Sequence, residues 1–350
     1  NLAAQAMDEG ALGISTGYFP AHVTTDEIVA VTEVVAAKGG LYASHIRNEA
    51  DGLLGAMEEI IEIGVRAQVP VQVSHVKTYG RRNWHKIDAV LNLMERAHER
   101  GVDLLADRYP YVACFSGAAA LLPLWLRSEA AQRGGLKTLR DPAWADRVRR
   151  GIIDQFHLLG GPDQVVLAPL DPQPEMDGKR LDEYARQRNE DPVDTAINLV
   201  LRGGVSCIYF VMCEENLRAC YRHSLVTGGS DGHLRILGEG MSHPRNYGTF
   251  PRFIGHYGRD LGLFTVEEAV RKCTSMNASR FGLKDRGVLA KGKVADVVLF
   301  DWEKIADCAT FENPHQYPVG IPWVIVNGRV AVAAGEVTPQ CHGRVVRRGE

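Results

Sequence analysis

A repeat of about 30 residues runs through the first part of the chain, and in each copy a short apolar strand ends in polar residues. Leu-Tyr-Ala-Ser leads to His45, Val-Gln-Val-Ser leads to His75, and a third apolar run leads to Asp107. A strand with a returning helix needs about this many residues, and strands joined in this way lie parallel. The repeat therefore predicts an α/β fold in which these polar residues meet at one rim of a parallel barrel.

Periodicity and turn residues predict the remaining elements of this barrel. Strands are expected at 12–15, 41–45, 102–107 and 224–231 and before His75, with helices from Thr25 and over 53–67, 84–99 and 266–281. Asp26 and Glu27 give the first helix an anionic first turn, which suits the helix dipole. The strand at 224–231 runs into Gly-Gly-Ser-Asp-Gly, so Asp231 lies at another strand end.

The repeat is interrupted at 112–200, where Pro-rich and Gly-rich joints and basic helices predict an inserted, lid-like segment over the rim. This segment includes a short strand near 165–167, and the barrel order resumes with a strand at 207–212. From residue 284 the chain turns to β, with strands at 295–300, 323–326 and 330–333 and a turn at Asn327-Gly328. We therefore expect a partial barrel at 1–283 and part of a small β domain at 284–350.

Composition narrows the class of partner. A net charge of -3 with 24% charged residues gives no electrostatic footprint for nucleic acid or an anionic membrane, so we expect a small-molecule partner. The longest apolar run, 118–126, contains Pro123 and is too short to span a bilayer. The seven cysteines form no Cys-x-x-Cys pair, which is typical of reduced thiols in the cytoplasm. The chain opens at Asn1 without a signal peptide, and we expect it to be cut from a longer protein.

His45, His75 and Asp231 carry the chemistry that these strand ends predict. Two neutral imidazoles on adjacent strands can ligate one divalent cation such as zinc, and an aspartate on a later strand can ligate it or accept a proton. Bound metal lowers the pKa of water towards about 7, so hydrolysis of an amide or ester follows as the predicted reaction. A purely structural role is the usual alternative for a single histidine at a strand end.

Other polar residues near these strand ends have two interpretations each. Lys77, Tyr109 and Tyr111 can face the rim and hold a substrate carboxylate, or serve as a loop cation and as packing residues. Arg47 and Glu49 can orient the metal ligand His45, or form a surface ion pair. For two further sets we favour structural roles: core packing for Cys207, Cys213 and Cys220, and a place in the late linker for His315.

Six segments together resemble the N-acyl-D-amino-acid deacylases (D-aminoacylases) of the amidohydrolase superfamily: Gly-Ala-Leu-Gly-Ile-Ser-Thr-Gly at 10–17, Tyr-Ala-Ser-His-Ile-Arg-Asn-Glu at 42–49, Val-Ser-His-Val-Lys at 73–77, Gly-Ser-Asp-Gly at 229–232, His-Pro-Arg-Asn-Tyr-Gly-Thr-Phe at 243–250 and Asn-Pro-His-Gln-Tyr-Pro at 313–318. The resemblance covers essentially the whole chain. It implies a zinc-bearing (β/α)8 barrel of the TIM type with a small β domain, and release of a free D-amino acid and a carboxylate from an N-acyl-D-amino acid.

The resemblance also implies a role for each matching residue. His45 and His75 match the two histidine ligands at the ends of barrel strands five and six, and Asp231 matches the aspartate that acts as general base and then acid. Lys77 and Tyr109 match positions that bind the substrate carboxylate. The family's His-x-His pair and bridging cysteine do not precede His45, so the chain should start near the third or fourth strand and be inactive alone.

Two alternatives stay open at this point. A cyclic-amide hydrolase such as a hydantoinase or dihydroorotase would share His45, His75 and Asp231, although the Gly-Ser-Asp-Gly and His-Pro-Arg segments fit deacylases better. A binding protein without catalytic activity could use the same scaffold. The preferred acyl group and side chain, the number of metal ions and the oligomeric state do not follow from the sequence.

Overall fold

The computed structural model describes residues 1–17 and 23–349. Twelve strands are found in this part of the chain, and in chain order they are β1 (Gly13–Thr16), β2 (Leu41–Ser44), β3 (Val71–Val73), β4 (Leu104–Arg108), β5 (Ala113–Gly117), β6 (Val165–Pro169), β7 (Val205–Phe210), β8 (Val226–Gly228), β9 (Val297–Leu299), β10 (Trp323–Val326), β11 (Arg329–Ala333) and β12 (Glu336–Val337).

The α-helices of the described residues are, in chain order, α1 (Leu2–Asp8), α2 (Thr25–Ala36), α3 (Leu53–Ala67), α4 (Ile87–Glu99), α5 (Leu124–Gln132), α6 (Ala145–Leu159), α7 (Leu181–Gln187), α8 (Pro192–Arg202), α9 (Glu214–Arg222), α10 (Arg245–Arg252), α11 (Val266–Cys273) and α12 (Ser275–Arg280). A 3-10 turn at Arg81–Lys86 precedes α4, and a π-helical segment at Phe253–Asp260 follows α10. No helix among these residues combines the length and apolar character needed to cross a bilayer.

Five parallel strands form the sheet that positions the site, in the order β1-β2-β3-β4-β8. The helices α2, α3 and α4 connect the first four strands, as the repeat predicts. α2 begins with a capping box, in which the Thr24 hydroxyl accepts from Glu27 N–H and the Glu27 carboxylate accepts from Thr24 N–H. The predicted parallel α/β sheet is confirmed. Within the described residues the sheet does not close, so a complete eight-stranded barrel remains a prediction.

The core of this sheet is made by side chains that alternate along short strands. Val71 pairs in register with Leu104, and Val73 pairs with Ala106, and all four are buried without solvent contact. The apolar faces of α3 and α4 pack against them, with Met57 and Met94 buried as well. Burial of each large apolar side chain contributes about 1.5–3 kcal/mol. This layer holds the strand ends, and therefore the site residues that follow them, in fixed relative positions.

The 112–200 segment and the following strand β7 fold together as a second, antiparallel layer with its own apolar core. Its strands lie in the order β5-β7-β6, and both neighbours run antiparallel to β7. The predicted strand near 165–167 is confirmed as β6. The prediction that the strand at 207–212 resumes the barrel is wrong, because β7 pairs with β5 and β6 instead. Every residue of β7 but the last is buried. A continuous apolar run of this kind occurs both in parallel strands and in antiparallel strands that are covered on both faces, so the sequence pattern does not distinguish them.

The end of the chain contains a small antiparallel sheet in the order β12-β11-β10-β9. Asn327 and Gly328, with φ values of 50° and 77°, form the tight turn between β10 and β11 that the sequence predicts. The predicted helix over 266–281 is interrupted at Thr274, which has φ -129° and ψ -89°, so two helices, α11 and α12, replace it.

Candidate functional site

His45 and His75 meet at the carboxyl end of the parallel sheet. Ser44 pairs in register with Val73, so the chain segments that leave β2 and β3 emerge side by side. His75 has a φ of 39°, a left-handed backbone conformation that costs about 1–3 kcal/mol for most residues with a side chain. Its backbone N–H donates to Asp107 Oδ1 at 2.9 Å, which holds this strained turn in place. Asp107, at the end of β4, therefore supports the site through the backbone of His75.

The two imidazoles face each other with nitrogen atoms that fit a metal. His45 Nδ1 lies 2.8 Å from His75 Nε2, and the rings are 4.5 Å apart at 76°. Two ligands of a tetrahedral zinc ion, each bonded at about 2.0–2.1 Å, lie about 3.3 Å apart, so a small opening of this pair accommodates the ion. Burial lowers the pKa of His45 to about 4, although Glu49 and Asp231 oppose the shift. His45 is therefore neutral near pH 7, as a metal ligand must be.

Glu49 completes a compact group with the two histidines, and the candidate ligand atoms of all three lie within 4.8 Å of one another. Its Oε1 is 3.0 Å from His75 Nδ1 and 4.0 Å from His45 Nε2. Lys77 Nζ donates to the same oxygen. Burial alone would raise the pKa of Glu49, but Lys77 and His75 outweigh burial and hold that pKa well below its usual range. Glu49 is therefore a buried, charged carboxylate behind His75.

Lys77 and Tyr109 are both buried beside this group. Lys77 Nζ lies 5.9 Å from the centre of the Tyr109 ring, and the guanidinium groups of Arg108 and Arg245 lie 4.2 Å and 4.9 Å from it. The Tyr109 hydroxyl has no hydrogen-bond partner of normal geometry among the described residues. Burial raises the pKa of Tyr109, so the hydroxyl remains a donor near pH 7. Three cations and an unused donor around one ring are groups that can bind an anion.

Asp231 follows β8 and faces the same region. Its φ of 47° is also left-handed, and Gly229 before it has no room for a side chain, since a Cβ there would lie 2.8 Å from Asp107 Oδ1. Arg245 Nη1 lies 2.7 Å from Asp231 Oδ2. Asp231 is near enough to His45 for its charge to act on the pKa of that imidazole. The structure thus brings together His45, His75, Lys77, Tyr109 and Asp231, as the strand ends predict.

Arg245 is a site residue to which the sequence reasoning assigned no role. It is buried, and its Nε has no hydrogen-bond partner among the described residues. His243 holds its backbone, because His243 Nδ1 accepts from Arg245 N–H at 3.0 Å while Nε2 donates to the Ala113 carbonyl at 3.0 Å. Burial keeps the pKa of His243 well below its usual value, so the imidazole stays neutral. The His-Pro-Arg segment in the sequence was the available signal.

Several other candidates have structural roles. Arg47 pairs with Glu59 at 2.7 Å rather than with His45. The Tyr111 ring packs against His243 with ring centres 5.3 Å apart, and its hydroxyl approaches Asp307 Oδ2 at 3.4 Å. His315 contacts the Tyr247 hydroxyl at 2.9 Å and the Gly240 carbonyl oxygen at 2.7 Å, and its structural role stays a prediction.

Two of the three cysteines with a predicted packing role are in the core, and Cys213 is not fully buried. Cys207 and Cys220 are buried, and burial raises the pKa of their thiols to about 12 and about 11. Cys213 is half-buried at the start of α9. Protonated thiols in apolar surroundings are inert packing groups.

Comparison with known proteins finds relatives over nearly the whole chain. The model of the amidohydrolase family matches residues 212–332. The D-aminoacylase of Alcaligenes xylosoxydans xylosoxydans is 38% identical over 99% of this chain, which spans 64% of its length. A crystal structure of D-aminoacylase superposes with a TM-score of 0.82 at 35% identity, over 99% of this chain and 65% of the other.

A second solved structure adds a ligand to the comparison. It is N-acyl-D-glutamate deacylase from Bordetella bronchiseptica in complex with zinc and a phosphonate inhibitor that mimics the tetrahedral intermediate. The TM-score is 0.78 at 32% identity, over 96% of this chain and 63% of the other. The chain thus spans slightly less than two thirds of the length of these relatives. Over nearly its whole length the chain is similar to D-aminoacylases and N-acyl-D-amino-acid deacylases, and part of it matches the amidohydrolase family model.

Proposed function

We propose that the full-length protein hydrolyses N-acyl-D-amino acids to a carboxylate and a free D-amino acid in a metal-dependent reaction. One observation carries the proposal: His45 Nδ1 and His75 Nε2 converge at 2.8 Å, and the buried cation Lys77 lies beside them. The two histidines and the neighbouring cations suit the two ends of such a substrate, the acyl carbonyl and the α-carboxylate. The relatives with the same activity, 38% to 31% identical, support the assignment.

His45 and His75 would hold the metal, and we propose zinc, because imidazole nitrogen is a preferred zinc ligand and the N-acyl-D-glutamate deacylase structure contains zinc. When bound, a divalent ion supplies Lewis-acid polarisation of the carbonyl and makes water more acidic. Lys77 and the Tyr109 hydroxyl bind the α-carboxylate and orient the amide. The low pKa of His45 keeps its nitrogen available without competition from a proton near pH 7.

Asp231 moves the proton in this reaction. Water adds its oxygen to the acyl carbon, the C–N bond breaks, and Asp231 accepts a proton from water and transfers it to the departing amine nitrogen. Arg245, at 2.7 Å from one carboxylate oxygen, holds Asp231 in a fixed orientation and leaves the second oxygen for the proton.

We further propose that the five parallel strands belong to a (β/α)8 barrel in the full-length protein, with 1–283 in the barrel, 112–200 as an insertion over its rim and 284–350 as half of a small β domain. About a third of the length of the Alcaligenes D-aminoacylase has no counterpart in this chain, which leaves room for the other barrel strands and supports this arrangement. A cytoplasmic location remains a proposal that the reduced cysteines support.

The test is kcat/KM of the zinc-loaded, full-length protein for matched N-acetyl-D- and N-acetyl-L-amino acids, with dihydroorotate and a hydantoin as controls. Because Lys77 and the metal ligands hold two ends of the substrate, exchange of hydrogen and side chain at the α-carbon misplaces the carbonyl, and about 1 Å of misplacement costs on the order of 100-fold. We expect at least that preference for the D form. Equal rates on both enantiomers would contradict the deacylase proposal. Preference for a cyclic amide would contradict it as well, in favour of a cyclic-amide hydrolase.

A further inference from the structure

Glu49 connects the metal-ligand pair to the substrate pocket through a single oxygen atom. Its Oε1 accepts from Lys77 Nζ and lies 3.0 Å from His75 Nδ1. All three side chains are largely shielded from solvent, with exposed fractions of 12% for Glu49, 9% for His75 and 4% for Lys77. In such surroundings a charge without its partner is strongly destabilising. The position of Glu49 therefore affects both neighbours together.

The direction in which Glu49 approaches argues against direct metal binding. It contacts His75 at Nδ1, whereas the opposite nitrogen of the ring, Nε2, faces His45 Nδ1. Metal-binding histidines usually donate their second ring N–H to a carboxylate, which fixes the tautomer and the ring orientation. Glu49 occupies the position of that carboxylate, behind the imidazole.

Two proton arrangements fit the distances around His75. In one, His75 Nδ1–H donates to Glu49 and the lone pair of Nε2 is free for a metal. In the other, Lys77 Nζ, at 2.6 Å, donates to Nδ1 and the ring proton moves to Nε2, where it blocks the metal. A charged acceptor favours the first arrangement, because a carboxylate accepts but cannot donate. The charge and position of Glu49 decide between them.

We propose that Glu49 is a positioning residue that sets the Nδ1–H tautomer of His75 for metal binding and at the same time anchors Lys77 for the substrate carboxylate. The second half of this inference rests on the proposed function, whereas the first half depends only on metal binding. Glu49 would thereby determine the spacing between the metal and the carboxylate-binding cation.

The chain offers a matched control for this proposal. Glu59 is also a partly buried carboxylate paired with a cation, since Arg47 Nε and Nη2 donate to it at 2.9 Å and 2.7 Å. No described contact joins Glu59 to His75 or Lys77. Glu49→Gln removes the charge at constant size and presents an amide that can donate to His75 Nδ1. Glu49→Asp keeps the charge, and Glu59→Gln makes the same chemical change at the control site.

The first experiment measures zinc affinity by chelator competition, and records the ring nitrogen shifts of ¹⁵N-labelled histidine in the metal-free, full-length protein. We expect Glu49→Gln to weaken zinc binding by about 10–100-fold and to move the His75 proton from Nδ1 to Nε2. Glu49→Asp should recover part of the affinity and keep the Nδ1–H signal. Glu59→Gln should match the parent in both measurements.

The second experiment compares KM and kcat for an N-acetyl-D-amino acid at saturating zinc. We expect Glu49→Gln to raise KM several-fold through the loss of the Lys77 anchor, and Glu59→Gln to leave KM unchanged. Parental zinc affinity and parental ring shifts in Glu49→Gln would overturn the proposal, as would equal losses in Glu59→Gln. If Glu49→Gln does not fold, the Glu49→Asp protein serves as the test. An Nε2–H signal from its His75 would overturn the proposal. A parent that binds zinc but does not hydrolyse the substrate contradicts the proposed function alone.

Discussion

Gly229→Ala adds one methyl group at the point where β8 approaches the support of His75. The new Cβ would lie 2.8 Å from Asp107 Oδ1, 3.0 Å from its Cβ and 3.1 Å from its Cγ, whereas ordinary contacts are 3.4–4 Å. The whole Asp107 side chain must therefore retreat by roughly half an ångström, as in other overpacked sites. It cannot do so freely, because Asp107 accepts from His75 N–H at 2.9 Å and from Gln72 Nε2 at 2.8 Å.

The expected cost of this substitution is about 1–3 kcal/mol of stability, the usual range for overpacking. For domains of 150–250 residues, 1 kcal/mol corresponds to roughly 2–4 °C in Tm, so we expect a decrease of about 2–12 °C. His75 should move with Asp107, and zinc affinity and kcat/KM should fall by roughly tenfold, in proportion to the loss expected for a 1 Å misplacement.

The assays are thermal unfolding of the metal-free protein and zinc binding by chelator competition. Gly55→Ala is the control, because a Cβ at that helical position meets nothing within 4 Å. It should raise stability by about 0.5–1 kcal/mol through the higher helix propensity of alanine. A Gly229→Ala protein with the parental Tm and zinc affinity would show that Asp107 does not hold His75 in place.

Three further predictions concern single residues. His45→Ala and His75→Ala should each remove most tightly bound zinc, and elemental analysis that finds full zinc stoichiometry in both would exclude them as ligands. Asp231→Asn should reduce kcat by about 100-fold to 10,000-fold while it retains metal and fold, and a rate within about threefold of the parent would remove Asp231 from the mechanism. Burial lowers the pKa of Lys272 from 10.5 to about 8, so the unfolded state binds more protons between these values and the free energy of unfolding should rise with pH across that window. The slope, up to about 1.4 kcal/mol per pH unit, should be absent from Lys272→Met, and an unchanged slope in denaturant titrations would contradict this assignment.

The elements with strong local signals could be predicted from the sequence. The helix at 53–67 has the predicted bounds, because its apolar residues recur at helical spacing and Pro70 follows shortly after it. The convergence of His45 and His75 follows from parallel strands of similar spacing, whose ends must lie at one edge of a sheet. The turn at Asn327-Gly328 could be predicted because both of its positions need a left-handed backbone, which asparagine and glycine adopt readily.

Features that depend on distant contacts could not be predicted. β7 has the apolar run of a barrel strand, and only its neighbours β5 and β6 show that it belongs to the antiparallel layer. Arg245 lies 14 residues after Asp231 on α10, and its ion pair with Asp231 depends on the packing of that helix against the sheet. The contact of Glu49 with His75, rather than with its sequence neighbour Arg47, likewise depends on the turn after β3.

Anomalous X-ray diffraction at the zinc edge, from crystals of the zinc-loaded full-length protein, locates the metal relative to both histidines. We predict a peak at about 2.0–2.1 Å from both His45 Nδ1 and His75 Nε2, with Glu49 hydrogen-bonded to His75 Nδ1 and not bound to the metal. A peak elsewhere, or the absence of a peak at this pair in protein that contains stoichiometric zinc, would contradict it.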